Sequence, residues 1–468
     1  MPLEQQLRQL PAVMDKGSEV DTRAALTMWW RAPLDGGRRW QKMAEGEAKG
    51  ATLAAVLAVE NLRVAWLAVK ANDGAPGVDK MDMEQSARHL REHWETMRTK
   101  LLSGEYKPGA VRAVSIPKAN GGERQPGIPN ITDRLIQQAI HQVLSPLWEA
   151  EFSDHSHGFR PNRSAHDAVK AASAYVKEGK TWVVDIDLKN FFDQVDHDKL
   201  MHLLRSKVED KNLRALIGAY LRAPMQYPDG SKVKRSKGTP QGGPISPLLA
   251  NIYLHPLDKE LEKRGVNFVR YADDIAIYAS SQRSAERIYE SVVEWIEKHL
   301  KVEVNRDKSG VGPSGGSSLL GFRVHEDGRV GVSSKAVEKL KKRVRQMWNA
   351  RQSLTSEQLR DQWQRYIRGW WNYFRLADWQ REVTDLSGWI RRHMRKCFWL
   401  RWKTPKGRIN AMKRLGVRGR ALGQGYSGRG AWPMALHPTV QQALSNAKLT
   451  KYGFIIPWQA APKPKAKR

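Results

Sequence analysis

The chain has 468 residues and is 40% hydrophobic, which suits a folded protein of two to four domains and excludes global disorder. Its 79 Lys and Arg against 49 Asp and Glu leave a net charge of +30, a field that attracts polyanions and points to nucleic acid through phosphate neutralisation. No run of about 18 apolar residues could span a bilayer, and the N-terminus lacks a signal-peptide core. A single cysteine, Cys397, excludes an internal disulfide framework and any Cys-pair zinc site and suits a reducing cytoplasm.

In chain order, residues 1–51 read as a leader without periodicity, in which MWWRAPLDGGRRW (28–40) is either a short ordered arm or a flexible one touching RNA. From Thr52 the apolar residues Leu53, Val56, Leu57, Leu62, Val64 and Leu67 follow helical spacing. GAPGVD (74–79) breaks the chain, and a second helix is predicted to about Leu102. VRAVSIPK and TWVVDIDL read as strands, and NFVRYADDIAIYAS as a hairpin with a two-carboxylate tip. RLIQQAIHQVLSPLW (134–148) and SAERIYESVVEWIEKHL (284–300) read as amphipathic helices, the second led by an N-cap serine. The sum is a mixed α+β region over about 110–325.

After GPSGGSS (312–318) and LLGFRV the character changes. Residues 335–402 are basic, helical in pattern and hold eight of the 18 tryptophans. Trp363, Ile367, Trp370 and Phe374 fall on one helical face, with Arg365, Arg368 and Arg375 elsewhere around it. Residues 403–431 are rich in Gly and Arg, and APKPKAKR is a basic tail predicted to be disordered. Cys397, among Arg395, Lys396 and Trp399, reads as a buried or incidental thiol.

Polynucleotide synthesis requires two Mg²⁺ ions about 3.5–4 Å apart. Mg²⁺ accepts few protein carboxylates and keeps water and phosphate oxygens, so a small acidic cluster on rigid elements suffices. Asp273 and Asp274 at a hairpin tip and Asp187 at the end of a neighbouring strand would supply it. Asp185, two residues earlier, faces the same side about 7 Å along the strand and is a supporting candidate. Asp193 reads as a turn or capping residue. Taken alone, an Asp pair in a hairpin is also ordinary turn chemistry.

Together, YADD (271–274), DIDLKNFFDQVDH (185–197) and GTPQGGPISPLLANIYL (238–254) resemble the three central polymerase motifs of group II intron reverse transcriptases, in the same order. NDGAPGVD (72–79), SIPKANGGERQPGIPNITDRLIQQAI (115–140) and HSHGFRPNRSAHDAV (155–169) are similar to that family's N-terminal extension and fingers. WQRYIRGWWNYFRL (363–376) is similar to its maturase-specific segment. RQPGIP departs from the family's usual Arg-Pro-Leu-Gly-Ile-Pro, and the leader is longer. The resemblance implies a right-hand polymerase fold, with fingers and palm built on a mixed sheet and followed by an all-helical thumb or maturase domain. The implied divisions are an extension over 52–110, fingers and palm over 111–325, thumb over 333–402, a DNA- or RNA-binding segment over 403–460 and a tail over 461–468. With one cysteine in the chain, the Cys-pair HNH endonuclease of many relatives is not expected.

Residue by residue, the resemblance implies Asp187, Asp273 and Asp274 as Mg²⁺ ligands and Phe192 as the steric gate that admits dNTPs and excludes a 2′-hydroxyl. Phe191 is then a core residue. Lys118 and Arg124 match the fingers residues that hold the triphosphate, or else form a solvated basic tip. Gln241 and Gly242 lie where backbone approaches nucleotide and template. Lys308 either assists pyrophosphate departure or is a surface lysine. Arg160, Arg163, Arg365, Arg368, Arg375, Arg391 and Arg392 are candidate RNA contacts. The implied partners are group II intron RNA, an RNA template with DNA primer, dNTPs and target DNA, with no membrane. The expected place of action is the bacterial cytoplasm, in a nucleoid-associated ribonucleoprotein. A splicing-only RNA-binding maturase and a reverse transcriptase recruited to defence are the alternative functions.

Overall fold

The structure, a computed structural model, describes residues 51–117, 123–378 and 381–459. Its strands, in chain order, are β1 (Val111–Ala113), β2 (Ile116–Pro117), β3 (Glu123–Arg124), β4 (Gly127–Ile128), β5 (Trp182–Asp187), β6 (Met225–Gln226), β7 (Lys232–Val233), β8 (Asn267–Tyr271), β9 (Asp274–Ala279), β10 (Gly310–Pro313), β11 (Phe322–Val324) and β12 (Val330–Val332). The chain divides into two compact units. One comprises the chain up to Asp154, Leu188–Glu260 and Trp295–Glu303; the other comprises His155–Asp187, Leu261–Glu294 and Val304–Arg468.

In the first unit the two N-terminal helical patterns become helices Leu53–Val56, Val59–Asn72 and Met83–Ser103. Thr52 caps the first by accepting from the Ala55 amide. A reciprocal Asp82–Gln85 capping box opens the third, and Gly104 at φ +79° closes it. The buried Asn61 side chain donates to the carbonyls of Val56 and Ala139, tying the second helix to the helix Ile131–Glu149. The stretch VRAVSIPK forms two strands where one was expected. β1 pairs with β4 and β6 in a sheet of order β4-β1-β6-β7, whereas β2 leaves it to pair with β3. Pro117 has no N–H, so it suits the end of a short two-stranded ribbon and not a sheet centre.

The second unit is built on an antiparallel sheet of order β10-β5-β9-β8. The helix Ala165–Lys177 packs Ala168, Val169, Ala172 and Val176 against Val183, Val269, Ala276 and Tyr278 of that sheet. The helix Gln282–Trp295 begins two residues before Ser284, and the capping hydroxyl is that of Ser281, which accepts from the Ser284 amide. A π-turn, Ile296–Leu300, continues it.

Helices Ser334–Met347, Ser356–Phe374 and Arg381–Arg401 form a helical bundle. The expected apolar face holds, with Trp363, Ile367 and Phe374 buried and Trp370 half-buried. Residues beyond 402, expected as a separate segment, share this core: Leu444, Leu449, Phe454 and Ile456 pack with Trp348, Trp363 and Cys397. The Trp363 indole donates to the Ile455 carbonyl at 2.8 Å, and the Trp458 indole to the Ser387 hydroxyl at 2.6 Å. Burial pushes the Cys397 thiol up to about 11, so it is an inert core residue. The fold is thus an α+β polymerase fold followed by a helical domain. No described helix is long and apolar enough to cross a membrane.

Candidate active site

The YADD hairpin is a two-residue loop, Ala272–Asp273, between β8 and β9, with Tyr271 opposite Asp274. Ala272 takes φ +57°, a left-handed conformation that a residue with a Cβ adopts only under tertiary constraint. The constraint is visible beside it. Arg270 is fully buried, and its Nη1 donates to the Ala272 carbonyl at 3.0 Å. Residues 155–158 run alongside β8: the Arg270 amide donates to the His155 carbonyl, and the His157 amide to the Arg270 carbonyl. A Cβ on Gly158 would stand 2.4 Å from the Ala272 nitrogen, so only glycine lets this segment lie against the turn. Arg160, 7% exposed, donates to the Ser156 carbonyl at 2.8 Å and braces the same loop from within.

Asp187, the last residue of β5, lies directly opposite Asp274 in the β5–β9 register. Its amide donates to the Ser309 hydroxyl at 2.9 Å, and its carbonyl accepts from the Asn305 amide at 2.9 Å. Lys308 Nζ, on the same turn, is 3.9 Å from Asp187 Oδ1. Asp185 accepts from the Ser317 hydroxyl, and burial raises its pKa. Its carboxylate is therefore engaged as a half-buried neighbour.

Asp274 keeps an open face to solvent, yet its pKa is pushed up to about 6. Partial desolvation is the largest cause, followed by the negative charges of Asp273, Asp187 and Asp185, with Lys308 opposing. This is a site with more negative charge than its surroundings neutralise. Among the described residues no group of three or more His, Cys, Asp or Glu side chains is placed to hold a metal ion. An ion that keeps water and phosphate ligands does not need a closed cage of side chains. The surplus charge, carried on two paired strands, fits a divalent cation.

A residue that local pattern did not reveal is Tyr373, at the end of the helix Ser356–Phe374. Burial raises its pKa, and the charges of Tyr271 and Asp274 raise it further, which places the phenol near the hairpin. Its hydroxyl donates to the Leu320 carbonyl at 2.9 Å. Ser309, Asn305, Arg270 and Gly158 were likewise missed as supports. The glycine in HGF and the serine in NRDKSG were the available signals.

Of the predicted nucleotide contacts, Phe192, Gln241 and Gly242 fall in the first unit. Phe191 is buried and Phe192 half-buried, their rings edge to face at 5.5 Å. The Phe192 carbonyl accepts from the Thr239 amide and the Val195 carbonyl from the Gly238 amide, both at 2.7 Å, which joins the FFD turn to the start of the GTPQGG loop. The Gln241 carbonyl accepts from the Gly127 amide at 2.7 Å. Gly242 takes φ +125°, and a Cβ there would stand 2.3 Å from the Gly127 carbonyl oxygen. Phe192, Gln241 and Gly242 are thus fixed on one hydrogen-bonded loop system. Arg124 lies on β3 opposite Ile116, its side chain outside the described set, and Lys118 lies outside the described residues.

Of the candidate RNA contacts, Arg365, Arg368 and Arg375 are exposed and Arg163 is half-buried. Arg391 is half-buried, and burial lowers its pKa. Arg392 stacks over the Trp432 ring at 3.9 Å and donates to the Trp432 carbonyl, so it helps hold the C-terminal segment on the bundle.

Residues 116–324 match the family "Reverse transcriptase (RNA-dependent DNA polymerase)", and residues 337–416 match "Group II intron, maturase-specific domain". Protein YkfC of Escherichia coli K12 is 33% identical over 274 residues, covering 50% of this chain and 72% of that protein. The group II intron-encoded protein LtrA of Lactococcus lactis subsp. cremoris is 42% identical over 172 residues, or 36% of this chain, and the chain spans only 28% of LtrA. A solved telomerase from Candida albicans aligns distantly, with TM-score 0.41 and 13% identity over 80% of this chain and 68% of that one. With polymerase and maturase-specific regions in sequence, the chain belongs to the family of group II intron-encoded reverse transcriptases.

Proposed function

We propose that this protein copies group II intron RNA into DNA by two-metal nucleotidyl transfer and also binds that RNA as a splicing maturase, working in a bacterial cytoplasm. The observation that carries the first part is Asp187 facing Asp274 across β5 and β9, next to Asp273, with Asp274 raised to about 6 by desolvation first and by these neighbouring carboxylates second. Two Mg²⁺ ions supply Lewis acidity to the primer 3′-hydroxyl and to the departing pyrophosphate. Asp187, Asp273 and Asp274 hold them. Lys308, already beside Asp187, offers a positive charge to the pyrophosphate. Phe192 presents a ring against the deoxyribose and crowds out a 2′-hydroxyl. Gln241 and Gly242 bring backbone close to nucleotide and template, while Lys118 and Arg124 bind the triphosphate.

The maturase reading rests on the helical domain, whose exposed Arg365, Arg368 and Arg375 repel one another unless a polyanion lies against them. Phosphate contacts position the RNA there, and target DNA is a second polyanionic partner. Primer extension on an RNA template with Mg²⁺ tests the enzyme, comparing dNTPs with rNTPs. A well-folded sample that incorporates no dNTP would sink it. Failure of the purified chain to bind group II intron RNA in preference to an unrelated RNA of equal length would sink the maturase half.

A further inference from the structure

From Leu386 to Arg468 the sequence holds no Asp or Glu, so every charged side chain there is basic or a histidine. Most of the lining of a pocket of about 420 Å³ comes from this region, where the end of the helix Arg381–Arg401, the helix Pro405–Arg414 and the segment after Leu444 meet the start of the helix Ser356–Phe374. Its floor is apolar and aromatic. Phe398 and Phe454 are both buried and meet edge to face at 5.3 Å. Trp402 forms a half-buried wall, and Tyr452, 49% exposed, stands at the mouth.

The rim carries the polar selection. Arg414 is exposed at the end of its helix. Arg360 is held in place by an Nε–Asp361 bond of 2.8 Å. Its aliphatic stem crosses Gly453, where φ is +86° and a Cβ would stand 2.7 Å from Arg360 Cδ. Glu357 is the one carboxylate lining the pocket. A carboxylate repels phosphate, so on this rim its use is to accept a hydrogen bond from a ligand N–H. The volume suits a single small ring system and its sugar better than a peptide helix. The matching ligand is anionic at one end, flat and aromatic at the other, and carries an amino donor.

We infer that this pocket receives one unpaired nucleotide of a folded RNA. The base enters beside Trp402 and Tyr452, its exocyclic amine donates to Glu357, and its phosphates lie toward Arg360 and Arg414. Adenine, cytosine and guanine carry an exocyclic amine for this acceptor, and uracil carries none. The inference rests on the RNA-binding reading above and adds a base-selective site to it.

The test is equilibrium binding of the full chain, at fixed salt, to an RNA hairpin with one bulged adenosine and to the same hairpin fully paired. The bulged hairpin should bind about ten-fold tighter, and a bulged uridine should recover little of that gain. Tyr452→Ala, or Ser356→Trp at the mouth, should reduce the preference to about two-fold while leaving the paired hairpin bound as before. Glu357→Gln should level adenosine and uridine bulges. In the unmodified protein, 2-aminopurine at the bulge should lose fluorescence on binding, a readout that does not depend on any variant folding. Equal affinity for bulged and paired hairpins, or a preference surviving both Tyr452→Ala and Ser356→Trp, overturns the pocket assignment. Displacement by an acidic peptide but not by AMP would make it a protein-docking site and also overturn it. Binding of neither hairpin would instead defeat the RNA-binding reading itself.

Discussion

The backbone amide of Asp187 donates to the Ser309 hydroxyl at 2.9 Å, joining the end of β5 to a turn 122 residues further along the chain. The same turn supplies the Asn305 amide to the Asp187 carbonyl and carries Lys308. Asp187 is therefore aimed by a segment distant in sequence from both strands of the YADD hairpin. Ser309→Ala leaves a partly buried N–H without its acceptor, at a cost of about 1–3 kcal/mol, and loosens the strand end. Primer extension should slow roughly ten-fold with a raised Mg²⁺ requirement, since small misplacements of a positioned group cost this much. RNA affinity should not change, and Ser309→Thr should restore activity. Unaltered Mg²⁺ dependence in Ser309→Ala would remove the positioning role.

Asp274 predicts a pH dependence whose sign follows from its raised value. Its folded pKa, about 6, lies above the ordinary 3.8, so the folded protein prefers the protonated form. The stability it contributes is full below about 3.8 and is lost as pH rises through 6. Without metal, Asp274→Asn should therefore melt higher than the unmodified protein at pH 8. The gain should be about 2 °C after discounting for the solvent-facing side of the group, and should shrink towards pH 4. Mg²⁺ should close that gap at pH 8 by stabilising only the unmodified protein, and should do so less at pH 5, where protons compete. Thermal melts with and without Mg²⁺ at both pH values check this; equal Mg²⁺ stabilisation of both proteins would contradict it.

Asp273→Ala separates chemistry from binding. Extension should fall by at least about a thousand-fold, because a transition-state charge loses its counter-ion ligand. Intron RNA affinity, measured by filter binding, should stay within about two-fold, since the exposed arginines of the helical domain are untouched. Joint loss of both activities in a folded variant would refute separate sites.

Gly158→Ala should damage the hairpin from below. Its new Cβ would meet the backbone nitrogen of Ala272, which has no flexible side chain to yield. Overpacking of this kind costs about 1–3 kcal/mol. The Ala272 turn is already in a left-handed conformation, so the strain should appear as lost extension activity before global unfolding. A variant with full activity and an unchanged melting temperature would show that the loop can move aside.

What could be read from the chain alone was whatever depends on neighbours in sequence. The β-branched run in TWVVDID marks a strand, and YADD between apolar runs marks a hairpin tip. The spacing of Trp363, Ile367, Trp370 and Phe374 sets a buried helical face, because side-chain direction follows backbone period. The family resemblance then implied the acidic trio, and in the fold Asp187 stands opposite Asp274. Cys397, read as a buried or incidental thiol, is buried in the helical core.

Tertiary structure alone decided the interactions between residues far apart in sequence. No local pattern brings Ser309 to Asp187, lays residues 155–158 along β8, or turns Arg270 inward to hold the Ala272 carbonyl. Each satisfies a backbone polar group that only the folded chain buries. The same holds beyond residue 402. This stretch was expected as a separate nucleic-acid-binding segment, yet Leu444, Leu449, Phe454 and Ile456 lie in a core built with the helices Ser334–Met347, Ser356–Phe374 and Arg381–Arg401. Sparse apolar residues cannot make a core of their own, but they can complete one, and nothing in their local spacing announces it.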